Sequence, residues 1–336
     1  MAVKTIRQAI AEALRLEMAR DERVFIMGED VAGGRGGTGV LDAMGGVMGI
    51  TKGLLEEFGE DRVIDTPISE TAILGCAAGA AATGSRPVAE LMFNDFMGVC
   101  FDPLLNQAAK FRYMFGGKAE TPLVVRTMYG AGIRAAAQHS QTLYHMFTSV
   151  PGLKCAMPSN AYDAKGLLIQ SIRDNDPVVF FEHKALYDIP GVETPDEAYT
   201  IPFGEANFVR DGSDVTVVAI GLMVHIASGV AEELAKSGVS VEIIDPRTTS
   251  PLDTDSILES VEKTGRLVVM DESAARCGFA HDVAALVADQ AFSFLKAPIK
   301  TVTPPHTPVP FSPPLEDAWM PGPPDLVAAI TAVMEH

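Results

Sequence analysis

Residues 62–93 read RVIDTPISETAILGCAAGAAATGSRPVAELMF, and this stretch decides the fold class. Arg62–Pro67 (RVIDTP) is a short apolar strand that stops in a turn at Pro67, because proline has no N–H to give to a ladder. Ser69–Gly84 is then predicted as a helix of small residues, able to approach a neighbouring backbone closely, and Pro87–Phe93 (PVAELMF) as the next strand. The same alternation extends in both directions. Upstream, Ile6, Ile10, Ala13, Leu14 and Glu17 fall at helical spacing within Thr5–Arg20, and Arg23–Met27 (RVFIM) is a strand ending at Gly28. Downstream come LVVRT (123–127), LKCAM (153–157), the helical AYDAKGLLIQSI (161–172) and PVVFFEH (177–183). Short apolar strands separated by helices indicate a parallel sheet covered on both faces.

From Lys184 to Pro202 the pattern lapses into a stretch rich in Pro and acidic residues, which reads as a linker. The expected division is a first domain over 1–185, a linker over 186–204 and a second domain over 205–336. The second domain repeats the alternation with DVTVVAIG (214–221), a helix near 223–237, VSVEIID (239–245), a helix near 253–263 and RLVVMDE (266–272). The proline-dense Thr301–Pro324 is expected to lie extended. The expected class is α/β with two doubly wound domains.

A length of 336 residues suits two domains. With 26 Lys and Arg against 44 Asp and Glu, the formal charge of −18 disfavours a nucleic-acid backbone or an anionic membrane as the main partner. Any polyphosphate must be bound locally. The four cysteines Cys76, Cys100, Cys155 and Cys277 form neither a C-x-x-C pair nor a zinc-type cluster, so buried free thiols in a reducing, cytoplasmic setting are expected. Arg7, Glu12, Arg15 and Glu17 interrupt the N-terminal segment, unlike a secretory signal. The uncharged Thr71–Ser85 is shorter than the roughly 18 residues of a membrane span.

Gly28–Gly46 is glycine-dense, yet it contains neither G-x-G-x-x-G opening a helix nor G-x-x-x-x-G-K-[ST]. Gly34, Gly36, Gly37 and Gly39 therefore read as sources of flexibility. Glu29 and Glu70 sit where strands end, which is where doubly wound sheets place their ligands. As plain structure, Glu70 is a first-turn acid favoured by the helix dipole by about 0.3–1 kcal/mol. His139, in AAAQHSQ (135–141), follows LVVRT in a glycine-containing loop. Imidazole there suits proton exchange near neutral pH, and equally an ordinary surface position. No nucleophile elbow G-x-S-x-G accompanies Ser140. In QSIRDNDPVV (170–179) the carbonyls that end a helix can be capped or can hold a cation.

Taken together, FIMGEDV (25–31), RVIDTPISE (62–70), AAQHSQ (136–141), PGLK (151–154), DAKGLL (163–168), IRDNDPVVFFEH (172–183) and RTTSPLD (247–253) resemble one family in motif order and over nearly the whole chain. It is the beta subunit of the thiamine-diphosphate-dependent first component of 2-oxo acid dehydrogenase complexes. LDAMGGVMGITKGL (41–54) and the block 106–141 most resemble its acetoin dehydrogenase branch.

The resemblance implies a thiamine-diphosphate pyrimidine-binding domain followed by a transketolase C-terminal-like domain. It also implies a divided cofactor site, with the pyrimidine on this chain and the magnesium and diphosphate on an alpha chain. The sequence agrees, having no G-D-G followed by a paired Asn-Asn. Glu70 matches the glutamate that hydrogen-bonds the pyrimidine ring nitrogen, and Glu29, Ile68, Met92 and Phe96 match positions lining that ring. His139 matches the histidine facing the substrate and the lipoyl arm. Carbonyls of Leu123, Ser171, Ile172, Asp174 and Asp176 match a potassium site, with Asp176 where relatives have Asn. The implied reaction is cleavage of acetoin to acetaldehyde, with the remaining two-carbon unit passed oxidatively to lipoamide. The implied assembly is an alpha-two beta-two heterotetramer, inactive without its alpha chain, serving a lipoyl-bearing dihydrolipoyl acyltransferase core. Alternatives are a beta subunit acting on pyruvate or a branched-chain 2-oxo acid, and a non-catalytic scaffold docked to that core.

Overall fold

The structure is a computed structural model that describes residues 1–33 and 45–336, so Gly34, Gly36, Gly37 and Gly39 lie outside the described residues. The chain packs as two compact units, each drawn from separated stretches of sequence. The first comprises Met1–Tyr129, Met146–Glu182 and Leu186–Pro202, and the second Gly130–His145, His183–Ala185 and Phe203–His336.

In the first unit the sheet follows the order Lys154–Ala156, Val178–His183, Val124–Tyr129, Arg86–Phe93, Val24–Gly28, Val63–Asp65. Val24–Gly28 pairs in parallel with Val63–Asp65 and with Arg86–Phe93, so that Gly28 lies opposite both Asp65 and Glu90. The central strands are buried along their length, as continuous apolar runs under helices require. Helix Ile6–Arg20 turns Ile10, Ala13, Leu14 and Met18 inward and begins with a capping box, in which Thr5 and Gln8 satisfy each other's backbone N–H groups. It packs on helix Ala161–Arg173, where Arg173 pairs with the buried Glu17 at 2.7 Å.

The Ala/Gly helix runs Glu70–Ala82 and buries Ile73, Leu74, Ala77, Ala78 and Ala81. At its two glycines no neighbouring backbone comes within 4 Å. A Cβ at Gly75 would meet only Pro103 Cγ, at 4.0 Å, and one at Gly79 would meet nothing within 4 Å. The glycines lie on the outer face, while Ala77, Ala78 and Ala81 pack inward.

The second unit has its own sheet in the order Lys300–Val302, Leu267–Met270, Val215–Ala219, Val241–Asp245, Asn207–Arg210, parallel except for the last strand. Helices Leu222–Ala235 and Pro323–Met334 bury Met223, Ala227, Leu326 and Ile330 against Val217, Ile243 and Val268. The proline-dense tail is not simply extended. Pro313–Trp319 and Pro323–Met334 are helices with proline in the first turn, where its missing N–H breaks no intrahelical bond. Among the cysteines, Cys100 and Cys155 are buried as expected, whereas Cys76 and Cys277 are exposed. Among the described residues no helix is long and apolar enough to cross a membrane.

Candidate active site

Parallel pairing sets the carboxyl ends of Val24–Gly28, Val63–Asp65 and Arg86–Phe93 side by side, and five of the predicted site residues lie at or just beyond them. Glu29 follows the first strand, Ile68 and Glu70 follow the second, Met92 is the next-to-last residue of the third, and Phe96 closes the turn Asn94–Phe96. The connecting loops are tied together. Thr66 N donates to Gly28 O at 2.9 Å, and Ala32 N donates to Asp65 Oδ1 at 2.5 Å.

Burial pushes the Glu29 carboxyl upward, and the charges of Asp30 and Glu70 add to the effect. Burial, again joined by the charge of Glu70, holds the Cys100 thiol up at about 12. Phe93 and Phe96 meet edge to face with centroids 5.5 Å apart. Met92 is buried, while Ile68 leaves 74% of its surface exposed. Thr66 Oγ1 is buried with no hydrogen-bond partner among the described residues. Two carboxyls and an orphaned hydroxyl that can accept, with an aromatic ring and a thioether, suit a flat nitrogen heterocycle bearing N–H groups. With no cation among the five, the set does not suit a polyphosphate.

The raised Glu29 has a stability consequence. Its folded value lies above the ordinary 4.5, so the cost is absent below pH 4.5 and develops as pH rises through that value toward the folded one. Glu29→Gln should therefore raise Tm at pH 7, with the gain vanishing below pH 4.5. Calorimetry of the chain at both pH values checks this, and an unchanged Tm at pH 7 would refute it.

Sequence reasoning missed a buried ionic cluster beneath Met92. Arg126 donates to both oxygens of Glu182, at 2.7 and 2.8 Å, and to Glu90 Oε2 at 2.7 Å. Tyr187 OH donates to Glu182 Oε2 at 2.5 Å. These four residues line one small cavity with Ile50, Leu91 and Met92. Burial raises Glu90 and Arg126 opposes it, while burial with the nearby Glu182 holds the Tyr187 phenol protonated well above its ordinary range. The signal was present: PVAELMF, LVVRT and PVVFFEH each carry a charge within a buried apolar run, and such charges need partners.

The carbonyls expected at a potassium site are partly engaged. Arg86 Nη1 donates to Ile172 O at 2.8 Å and to Asp174 O at 2.9 Å, and Val178 N donates to Leu123 O at 2.9 Å. Lys154 binds both oxygens of Asp174 at 2.7 Å, and Arg112 pairs with Asp176. Ser171 Oγ donates to Leu167 O at 2.7 Å. Carbonyl oxygens have two lone pairs, so a monovalent ion could share those of Ile172 and Asp174 with Arg86. Among the described residues, no cluster of three or more His, Cys, Asp or Glu is placed to hold a metal ion.

His139 belongs to the second unit, on the loop Gly130–His145. The loop starts at Gly130, where a Cβ would collide with the His183 ring. His183 Nδ1 accepts from Ala185 N at 3.2 Å, so Nε2 carries the proton and donates to Glu272 Oε2 at 2.7 Å. The other Glu272 oxygen accepts from Ala131 N at 2.6 Å. His139 itself is half-buried, and its carbonyl accepts from the Lys184 ammonium.

Residues 3–190 match the pyrimidine binding domain of transketolase, and residues 204–326 match the transketolase C-terminal domain. The chain is 62% identical over 331 residues to the beta subunit of acetoin:2,6-dichlorophenolindophenol oxidoreductase from Cupriavidus necator, covering 98% of this chain and 97% of the relative. Identity to the subunit of the same name from Bacillus subtilis is 57%, with 98% and 96% covered. The pyruvate dehydrogenase E1 component subunit beta of Bacillus subtilis is 43% identical, with both chains covered in full. Among solved structures, a split gene transketolase, described as an inactive beta4 tetramer, has the same fold at a TM-score of 0.77 and 20% identity over 99% of each chain. With both transketolase domains in order and these relatives matched end to end, the chain belongs to the beta subunits of the thiamine-diphosphate-dependent first component of 2-oxo acid dehydrogenase complexes.

Proposed function

We propose that this chain is the beta subunit of a cytoplasmic acetoin dehydrogenase. It works with an alpha chain in an alpha-two beta-two heterotetramer and serves a lipoyl-bearing dihydrolipoyl acyltransferase core. The observation that carries the substrate is the identity of 62% and 57% to beta subunits named for acetoin, against 43% to one named for pyruvate. Residues 1–185 form the pyrimidine-binding domain, 186–204 the linker and 205–336 the C-terminal domain. In the net reaction the bond between the carbonyl and carbinol carbons of acetoin breaks. Acetaldehyde leaves, and the lipoamide disulfide is reduced as it takes the acetyl group.

Thiamine diphosphate, when bound, supplies the nucleophilic carbon and the electron sink. Glu29, Ile68, Glu70, Met92 and Phe96 hold its pyrimidine. Glu70 keeps a proton at the ring nitrogen, a task suited to a carboxyl in a partly desolvated crevice. Met92 and Phe96 exclude water from the ring. The exposed Ile68 is covered once the alpha chain docks with the magnesium and diphosphate half of the site. His139 exchanges a proton with the substrate oxygen. Potassium, if bound at the Leu123, Ser171, Ile172, Asp174 and Asp176 carbonyls, shares two of them with Arg86.

The test is reconstitution with the alpha chain and a side-by-side assay on acetoin, pyruvate and branched-chain 2-oxo acids with a reducible dye. The chain alone should be inactive, and the pair should show kcat/KM for acetoin at least about tenfold above any 2-oxo acid, a margin of roughly 1.4 kcal/mol. Preference for a 2-oxo acid, or activity without the alpha chain, would overturn the reading.

A further inference from the structure

The loop that carries His139 follows a strained path. Gly130, Gly132, Arg134 and Ala136 have φ of 92°, 98°, 62° and 61°, so alternate residues lie in the left-handed region. For Arg134 and Ala136 that conformation costs on the order of 1 kcal/mol or more each, and it persists only where the surroundings fix it. Left-handed residues at such spacing turn successive N–H groups to one side, creating a concavity that binds an anion.

The anion is the carboxylate of Glu316. This side chain is fully buried on helix Pro313–Trp319. It accepts from Gly132 N at 2.8 Å, from Arg134 N at 3.1 Å and from Arg134 Nη1 at 2.6 Å. Glu272 holds the start of the same loop through Ala131 N. Beyond Arg134 the chain turns through Ala136, whose carbonyl accepts from His139 N at 3.4 Å. The carboxylate of Glu316, the left-handed turn and the imidazole are thus linked by a short run of backbone. Asp317 also binds Arg134, at 2.6 Å, but only through the exposed end of the guanidinium.

We propose that Glu316 is a positioning residue for His139, setting the path of the loop and through it the place of the imidazole. The proposal rests on the reading of His139 as the group that exchanges a proton with substrate. A buried carboxylate does this better than an amide. It can accept from all three donors, whereas a glutamine would present N–H to N–H and release the strained backbone.

The experiment uses the reconstituted alpha–beta pair with acetoin and dye, and compares Glu316→Gln, Glu316→Asp, Asp317→Asn, His139→Ala and the double variant Glu316→Gln/His139→Ala. Glu316→Gln should lower kcat by about 10- to 100-fold with KM held within about threefold, the size expected for a misplaced reacting group. Hydrogen exchange over residues 130–139 should rise in parallel, and Asp317→Asn should change neither. The double variant should be no slower than His139→Ala, because both act through one group. Glu316→Asp keeps the charge but withdraws it by a methylene, so it should show a smaller loss of the same kind, and it carries the test if the Gln variant does not assemble. Wild-type kcat in the Glu316 variants beside an impaired His139→Ala would overturn the proposal alone, as would an additive loss in the double variant. Full activity in His139→Ala would overturn the reading of His139 and the proposal with it.

Discussion

Glu70→Gln in the reconstituted alpha–beta pair is expected to lower kcat for acetoin by about 10²–10⁴-fold, the range associated with a positioned acid–base group. Glutamine has nearly the same shape, so the Ile73, Leu74, Ala77 and Ala78 face of the helix stays packed. What is lost is the ability to share a proton. The helix also loses its first-turn charge, a cost of about 0.3–1 kcal/mol that Tm should register as a small decrease. Glu29 would feel one negative charge fewer, so its raised value should relax downward. Steady-state dye reduction checks the main effect, with the alpha–beta assembly monitored by sedimentation. Full turnover in an assembled variant would remove Glu70 from the mechanism.

Arg126→Met should be the most destabilising single change in the first unit. It leaves Glu90 and Glu182 buried without their shared cation, a class of change that costs about 3–5 kcal/mol. That is a large part of the roughly 5–15 kcal/mol by which a folded domain is stable. The sign of the pH dependence follows from the same cluster. Burial already raises Glu90 and Arg126 restrains it, so without Arg126 the folded value rises further. The loss should therefore be greatest above neutrality and shrink as pH falls and Glu90 takes up a proton. Urea unfolding at pH 5.5 and pH 8 measures both features. A difference below about 1 kcal/mol at pH 8 would show that water or rearrangement compensates the carboxylates.

Much of the candidate site was legible because its residues follow short-range rules. Glu29 and Glu70 were placed at strand ends by the apolar runs before them and by Pro67, and the parallel pairing sets those ends side by side. The run from Asn94 to Met114 was not legible. It divides into a turn, Met97–Asp102, Pro103–Ala108 and Ala109–Met114, interrupted at Cys100 and carrying Pro103, so no single helical period runs through it. The helices after Pro313 and Pro323 were hidden by the proline content that marks a tail as extended, although proline at a helix start is favourable.

The sequence by itself determined the α/β class, the order of the strands along the chain and the positions of Glu29 and Glu70, since apolar periodicity and turn residues act over a few neighbours. Only the tertiary structure decided which charges are partners. Arg126 meets Glu90 and Glu182 across 36 and 56 residues, and Glu316 reaches the loop of His139 across 182 to 184. It also grouped Gly130–His145 with residues after 203. The physical reason is that a buried charge or a left-handed backbone is tolerated only where a particular distant group compensates it, and local pattern carries no record of which group that is.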